Sequence, residues 1–352
     1  MSRLRLLLLL TGLGALVSGT PVAALIPPGP DGAAPPVTAQ SAQALGLLES
    51  AARAARTRTW SGTEHVVSTR AGEARLTVLE VHHTPGAGTT ARVLLTDDHA
   101  VAADVLDENL LSLLTSRYQV RVAGTAVCAG RPARVVEVRR PGVAGPDGVA
   151  GRFWLDRATG LVLRREVLDE NGAVVRSSAF VSLTVGPGAK ASSVSYTPGE
   201  VVRATGRRLD AAALAALEAE GWPVIHTLPS GLQLFDARRH DGDGGDVLQL
   251  SYSDGLSTLS LFVQKGELPD QVTGSARPMA GGTVWVSPGA TERVVWSGDG
   301  RTWTLVSDAP DSTVADAVLV LPHAPAAAAA DGVLHRAWRG LSRVGAWLNP
   351  FD

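Results

Sequence analysis

The sequence predicts an α+β protein made of antiparallel sheets partly covered by a few helices, and three observations carry that prediction. The first is the stretch 151–180, in which three strand-length patterns are separated by Asp156-Arg-Ala-Thr-Gly160 and Asp169-Glu-Asn-Gly172. An Asn-Gly pair supplies the positive φ angles of a tight hairpin, so this stretch reads as an antiparallel meander. The second is that strand patterns far outnumber helical ones along the 352 residues. The third is that the connections between them are short, whereas parallel strands need crossovers of a dozen residues or more. A doubly wound parallel sheet is thereby disfavoured.

Residues 1–24 have the three parts of an export signal: Arg3 and Arg5, an apolar run 6–17, and the small-residue site Val22-Ala23-Ala24. The other reading, an uncleaved anchor, meets the difficulty that the run falls short of the ~20 residues a spanning helix needs. Residues 25–42, with Pro27 to Pro36 almost free of bulky apolar side chains, read as a flexible linker. Leu45, Leu48 and Ala52 then fall at helical spacing over 43–56. Strands are expected at 61–68, 73–82, 91–96, 118–127 and 133–139, ahead of the meander. Between the third and fourth, 107–116 reads as a short helix carrying Leu110, Leu111, Leu113 and Leu114. Asp107 and Glu108 in its first turn favour the helix dipole, and it is expected to close one mouth of a curved sheet.

The first unit spans 43–186, and the Gly- and Pro-rich stretch 187–206 is the expected boundary. A smaller unit, 207–322, repeats the order of one helix (209–220) followed by strands at 231–237, 247–252, 257–264, 282–286, 291–297 and 301–307. Residues 311–321 close it as a short helix. An Ala-rich spacer, 323–331, leads to 332–352, where Leu334, Trp338, Leu341 and Leu348 share a helical face while Arg336, Arg339 and Arg343 point elsewhere. This basic amphipathic helix has two readings of equal standing: peripheral docking to a membrane or partner, or cover for an apolar strip on the second unit.

Composition excludes several classes. The formal net charge is −2, and becomes −4 once Arg3 and Arg5 are removed without any acid; nucleic-acid binding, which wants a basic stripe, is not expected. The single cysteine, Cys128, rules out an internal disulfide, a thiolate metal cluster and a lipid anchor at the cleavage site. It reads as a small, partly buried residue, with pairing to another molecule as the lesser alternative. No serine lies in a Gly-x-Ser-x-Gly frame, and no phosphate loop, dinucleotide fingerprint or His-Glu-x-x-His occurs, so no catalytic residue and no cofactor is expected. His82 and His83 are adjacent on a strand and face opposite ways, which makes a metal cluster with Asp97, Asp98 and His99 a poor reading. In the run Asp241 to Asp246 the twelfth position is Tyr252 where a calcium loop needs Glu, so a hairpin turn is expected there.

The meander resembles the sheet of the RseB/MucB-type regulators of the sigma-E envelope-stress factor. So do Trp60-Ser61-Gly62-Thr63, Tyr252-Ser253-Asp254-Gly255-Leu256 with 259–264, Trp222 with Leu228-Pro229-Ser230-Gly231, and the segment 277–285. Together they cover about 44–321 in the right order. The resemblance implies a first domain of the LolA/LolB type, a curved half-barrel sheet with an apolar cavity, and a smaller RseB-type second domain. It implies an exported, non-enzymatic protein at the periplasmic or extracytoplasmic face of the membrane. Such a protein binds the extracytoplasmic part of a membrane-bound anti-sigma factor, shields it from proteolysis, and is released by lipid or lipoprotein acyl chains. A LolA-type carrier without an anti-sigma partner is the alternative; a secreted hydrolase is the third. For the cavity the expected residues are Trp60, Leu79, Leu95, Leu110, Leu114, Phe153 and Leu163, and for the partner surface Tyr252, Leu256 and Trp285. Strand parity groups residues by face without saying which face is inward, so a filled core stands beside the cavity reading.

Overall fold

The computed structural model describes residues 37–70, 72–96, 106–189, 206–240, 246–266, 268, 272–279, 282–287 and 291–323. The expected signal segment 1–24, linker residues 25–36 and 190–205, and the C-terminal helix with Leu334, Trp338, Leu341 and Leu348 lie outside them. The described residues form two antiparallel sheets of eight strands each. This is the α+β architecture expected.

Helix α1, Val37–Thr57, starts inside the stretch expected to be linker. Ala44, Leu48, Ala51 and Ala52 are buried along one stripe, and the small alanines let the helix lie close on the sheet. Strands β1 (Trp60–Arg70), β2 (Glu73–Thr84) and β3 (Gly88–Thr96) form an antiparallel run. Helix α2, Glu108–Arg117, is capped by Asp107, whose carboxylate accepts from Leu110 N at 2.8 Å. Strands β4 (Gln119–Cys128), β5 (Arg131–Arg139), β6 (Val149–Asp156), β7 (Val162–Leu168) and β8 (Val174–Val185) complete the sheet, in the order β3-β2-β1-β8-β7-β6-β5-β4. The pairing of β1 with β8 joins residues about 120 apart in sequence and locks the two runs together.

The meander is β6-β7-β8, and both of its turns are organised by aspartates. Asp156 accepts from Thr159 N at 3.2 Å and Oγ1 at 2.5 Å, and Asp169 accepts from Asn171 N at 2.9 Å and Ala173 N at 2.8 Å. The positive φ expected of Asn-Gly falls on Gly172 alone, at 79°. Asn171 does not take a positive φ, and the Asp169 carboxylate satisfies the turn's amides directly.

The two faces of this sheet differ sharply. Toward α1 and α2 it presents Val136, Val138, Phe153, Leu155 and Val167, all buried in one cluster. The other face carries a cross-strand ladder in register, Arg121 opposite Glu137, Glu137 opposite Arg152, and Arg152 opposite Glu166. Glu137 and Glu166 are only 5 % and 6 % exposed beneath these arginines. The charges of the meander are therefore an ion-paired layer covering a sheet face, and not the solvated rim of a cavity. Opposite charges directly across strands stabilise the pairing, and the arginine stems shield the carboxylates.

The second sheet consists of β9 (Arg207–Arg208), β10 (Gln233–His240), β11 (Val247–Ser253), β12 (Thr258–Lys265), β13 (Ser275–Met279), β14 (Gly282–Ser287), β15 (Glu292–Gly298) and β16 (Arg301–Ser307). Helices α3 (Ala211–Ala219) and α4 (Asp311–Val320) flank it. Its core is built on Trp296 and Trp303, stacked at 6.0 Å, with Tyr252, Leu250, Leu261 and Leu305. Both indole N–H groups are satisfied, by Pro322 O at 2.9 Å and Gly298 O at 3.0 Å, as buried tryptophans require. The edge strands β9 and β13 were not expected; each is too short, or too rich in Pro and Arg, to show a period-2 pattern.

Candidate functional site

The two sheets meet along a seam built mainly by the turn between β11 and β12, Ser253-Asp254-Gly255-Leu256-Ser257. The turn is closed by its own side chains. Asp254 Oδ1 accepts from Leu256 N at 2.9 Å and Ser257 N at 2.7 Å; Ser253 Oγ donates to Ser257 O at 2.7 Å and accepts from Gly255 N at 2.8 Å. So held, it projects Gly255 and Leu256 into the first domain. Gly255 has φ of +86°, and a Cβ there would lie 2.2 Å from Leu114 N and 2.4 Å from Leu110 O. Only glycine fits against the backbone of α2 at this point.

Leu256 is 2 % exposed, and its neighbours are residues of the other domain: it belongs to the cluster of Leu111, Leu114, Ala150, Phe153 and Val167. Opposite it stands Gly151, where a Cβ would come within 2.6 Å of Leu256 Cδ1. The missing side chain on β6 is the space that Leu256 fills. The Leu256 carbonyl also accepts from Arg165.

Polar contacts frame this apolar plug. The Tyr118 hydroxyl donates to Asp254 Oδ2 at 2.6 Å, and burial, then the Asp254 charge, pushes the phenol far above its ordinary value. Arg117 donates to Ser230 O at 2.5 Å. Arg176 faces Asp308 at 3.6 Å, both side chains being buried. Arg70, the last residue of β1, pairs with Glu292 at 3.0 Å and with Asp311, and donates to Ser307 O at 3.1 Å and Ala309 O at 2.7 Å. Burial raises the Glu292 pKa; Arg70 opposes that and Asp311 adds to it. Across the seam the first domain offers arginines and the second offers acids and carbonyls.

Beside the plug lies a cavity of ≈ 340 Å³ shared by the two domains. Ala150, Val167, Leu168 and Leu256 supply apolar lining, and Arg117, Tyr118, Arg140, Glu170 and Asp254 supply polar lining. Arg140 is anchored by the carbonyls of Asp147 at 3.2 Å, Val149 at 3.0 Å and Leu168 at 2.9 Å.

The seven residues expected to line one cavity do not converge. Leu110, Leu114 and Phe153 belong to the core between α2 and the sheet. Trp60 and Leu79 form a separate cluster with α1, where Trp60 stacks on His83 at 5.6 Å. Leu163 is buried, and Leu95 is 53 % exposed. The bulge at Val78/Leu79 shifts the register of β3, and parity counting misses such shifts. Of the three expected at a partner surface, Tyr252 is fully buried in the second core and Leu256 is the interdomain plug; Trp285 alone is half-buried at the surface. Leu256 looks exposed beside an Asp-Gly turn until another domain covers it, and Tyr252 faces its own domain's core, a choice of face that strand parity does not make. Sequence reasoning missed Arg70 at the end of β1, Tyr118 between α2 and β4, Arg165 within β7 and Arg176 near the start of β8, none of which carries a local pattern.

Cys128 is half-buried and unpaired with other cysteines, and burial raises its thiol pKa against the opposing charge of Arg164. Among the described residues no group of three or more His, Cys, Asp or Glu is placed to hold a metal ion. His83 is held by Thr89 Oγ1 at 2.8 Å and Arg56 O at 3.2 Å. Among the described residues no helix is long and apolar enough to cross a membrane.

Comparison with known proteins places residues 81–198 on the MucB/RseB N-terminal domain family. Over 202 residues the chain is 31% identical to the sigma factor AlgU regulatory protein MucB of Pseudomonas aeruginosa, covering 57% of this chain and 60% of that protein. The chain thus matches less than two thirds of this relative's length. Among solved structures, the crystal structure of MucB is 23% identical, with 79% of this chain and 97% of that chain covered and a TM-score of 0.49. MucB in complex with MucA(peri) is 23% identical over 80% of this chain and all of that one, at 0.47. The LolA superfamily protein NE2245 from Nitrosomonas europaea is 9% identical over 76% and 96%, at 0.18.

Proposed function

We propose that the chain is an RseB/MucB-type protein, an exported regulator that binds the extracytoplasmic part of a membrane-bound anti-sigma factor. Bound there, it shields that factor from proteolysis, and an acyl-chain ligand, from lipid or lipoprotein, releases it. The observation that carries this reading is the 31% identity, over 202 residues, to a protein named for sigma factor regulation. The seam supports the release step in kind: a ligand acts only through a difference in affinity between two arrangements, and a polar interface with one apolar plug allows a second arrangement at modest cost. Trp285, half-buried near the β13 edge, is proposed as part of the partner surface.

The test is crosslinking of the protein in intact envelope, identification of its partner by mass spectrometry, and proteolysis of that partner with and without the protein. Recovery of an anti-sigma factor that is cut more slowly in the complex is the expected result. Transfer of lipid between membranes with no such partner would replace this reading with the carrier.

A further inference from the structure

We infer that the interdomain cavity is a binding site for a single-chain amphiphile, and that Leu256 occupies the inner end of that site when no ligand is bound. The inference rests on the proposed release by acyl chains and assigns it a place and a coupling residue. Three observations lead to it. Leu256 sits among Leu114, Ala150, Phe153 and Val167, the core residues of a domain to which its own strands do not belong. Its seat exists because Gly151 has no side chain. The ≈ 340 Å³ cavity adjoins that seat, since Leu256, Ala150 and Val167 line both.

The lining selects the ligand class. An alkyl chain in the cavity lies against Ala150, Val167, Leu168 and Leu256, and in place of the leucine side chain its terminal carbons take up the contacts that Leu256 makes with the first domain's core. Arg117 and Arg140 stand at the same cavity with backbone carbonyls as their hydrogen-bond partners. Glu170 and Asp254 line the cavity too, but Asp254 is engaged by Tyr118 and the turn amides, so the arginine charges suit a carboxylate or phosphate head placed away from Glu170. The volume is at the lower end of the range for ligand sites, roughly 300–1,000 Å³, which fits one chain and not a diacyl lipid.

Chain and plug then exclude each other. When the chain takes the seat, Leu256 withdraws, Gly255 leaves α2, and the Tyr118–Asp254 hydrogen bond is lost with them. Ligand binding and domain docking are in this way one equilibrium read at two places.

The experiment uses the purified full chain with cis-parinaric acid, a fluorescent fatty acid, and with dodecyl phosphate as a competitor; inorganic phosphate alone is the control for a site that needs only the anion. Leu256→Ala removes the plug, and the fatty acid is expected to bind about tenfold tighter, the scale of one buried leucine side chain. Leu256→Met, which keeps the volume, is expected to leave affinity near that of the unsubstituted protein. Circular dichroism of each variant establishes that it is folded, and hydrogen exchange on the unsubstituted protein, which needs no variant, is expected to quicken at 253–257 when the fatty acid is added. Unchanged or weaker binding by Leu256→Ala, unchanged exchange at 253–257, or displacement of the fatty acid by phosphate alone would overturn the inference. Failure to recover an anti-sigma partner would sink the regulatory reading and leave these binding results untouched.

Discussion

Gly255→Ala tests whether the seam depends on the contact between the β11–β12 turn and α2. The structure separates two costs. The first is conformational: at φ of +86° an alanine sits in the left-handed region, which costs about 1–2 kcal/mol. The second is steric: the new methyl lies 2.2 Å from Leu114 N and 2.4 Å from Leu110 O, both backbone atoms of a packed helix, so relief requires the turn to withdraw. Overpacking of this kind costs roughly 1–3 kcal/mol, for a sum of about 2–5 kcal/mol. Gly172→Ala is the internal control, because its φ of +79° is nearly the same and nothing lies within 4 Å of the added carbon. Urea unfolding followed by tryptophan fluorescence should show about 1–2 kcal/mol lost in Gly172→Ala and clearly more in Gly255→Ala. The Gly255 variant should also unfold in two separable steps as the domains uncouple. Equal losses in the two variants would refute the argument that Gly255 is required by its approach to α2.

Three further outcomes are expected. Arg70→Met leaves Glu292 and Asp311 facing each other without the arginine between them and takes a donor from two carbonyls, so stability measured by urea should fall by about 3 kcal/mol, the lower end of the scale for breaking a buried pair because Asp311 is exposed. Tyr118→Phe removes one hydrogen bond to a charged acceptor and should cost about 1.5–3 kcal/mol; Asp254→Ala should cost more, since the turn amides of Leu256 and Ser257 also lose their acceptor. Glu137 and Asp156 are both held below the usual carboxylate range: burial pushes each up, but Arg121 and Arg152 outweigh it for the first, and Arg131 and Thr159 for the second. A depressed folded pKa contributes stability that is present above about pH 4 and is lost as pH falls through the folded value. The urea midpoint should therefore drop in acid, and drop less steeply in Glu137→Gln and Asp156→Asn.

The fold was legible where periodicity and turn chemistry act locally. The meander turns announce themselves through Asp156 and Asp169, the start of α2 through Asp107, and most strands through alternation, so their limits were expected to within a few residues. The pairing of β1 with β8 had no local signal, because a strand does not encode the identity of a partner about 120 residues away. The site was less legible for the same reason. Leu256 carries the mark of a chemically important residue, an apolar side chain beside an Asp-Gly turn, but whether it points to solvent, to a partner or to a second domain depends on what the rest of the chain brings to it. Arg70 and Arg176 read as ordinary strand arginines until Asp311, Glu292 and Asp308 arrive from more than 130 residues away.

The division of labour along the seam has a physical logic that bears on function. Charged pairs at an interface set orientation and tolerate small shifts, since their attraction changes slowly with distance; a plug in a close-packed core does not, since a displacement of one methyl group breaks its contacts. In this chain the plug and the Arg70 cluster are neighbours: Pro310, Ser312 and Thr313, which flank the Arg70 partners Ala309 and Asp311, line the same cavity as Leu256. A ligand that displaced Leu256, as proposed, would remove the sharp contact and leave the Arg70 pairs, which can follow a small reorientation of the domains without separating. Regulation by population shift needs this combination of one discrete element that a ligand can bias and a tether that keeps both arrangements accessible.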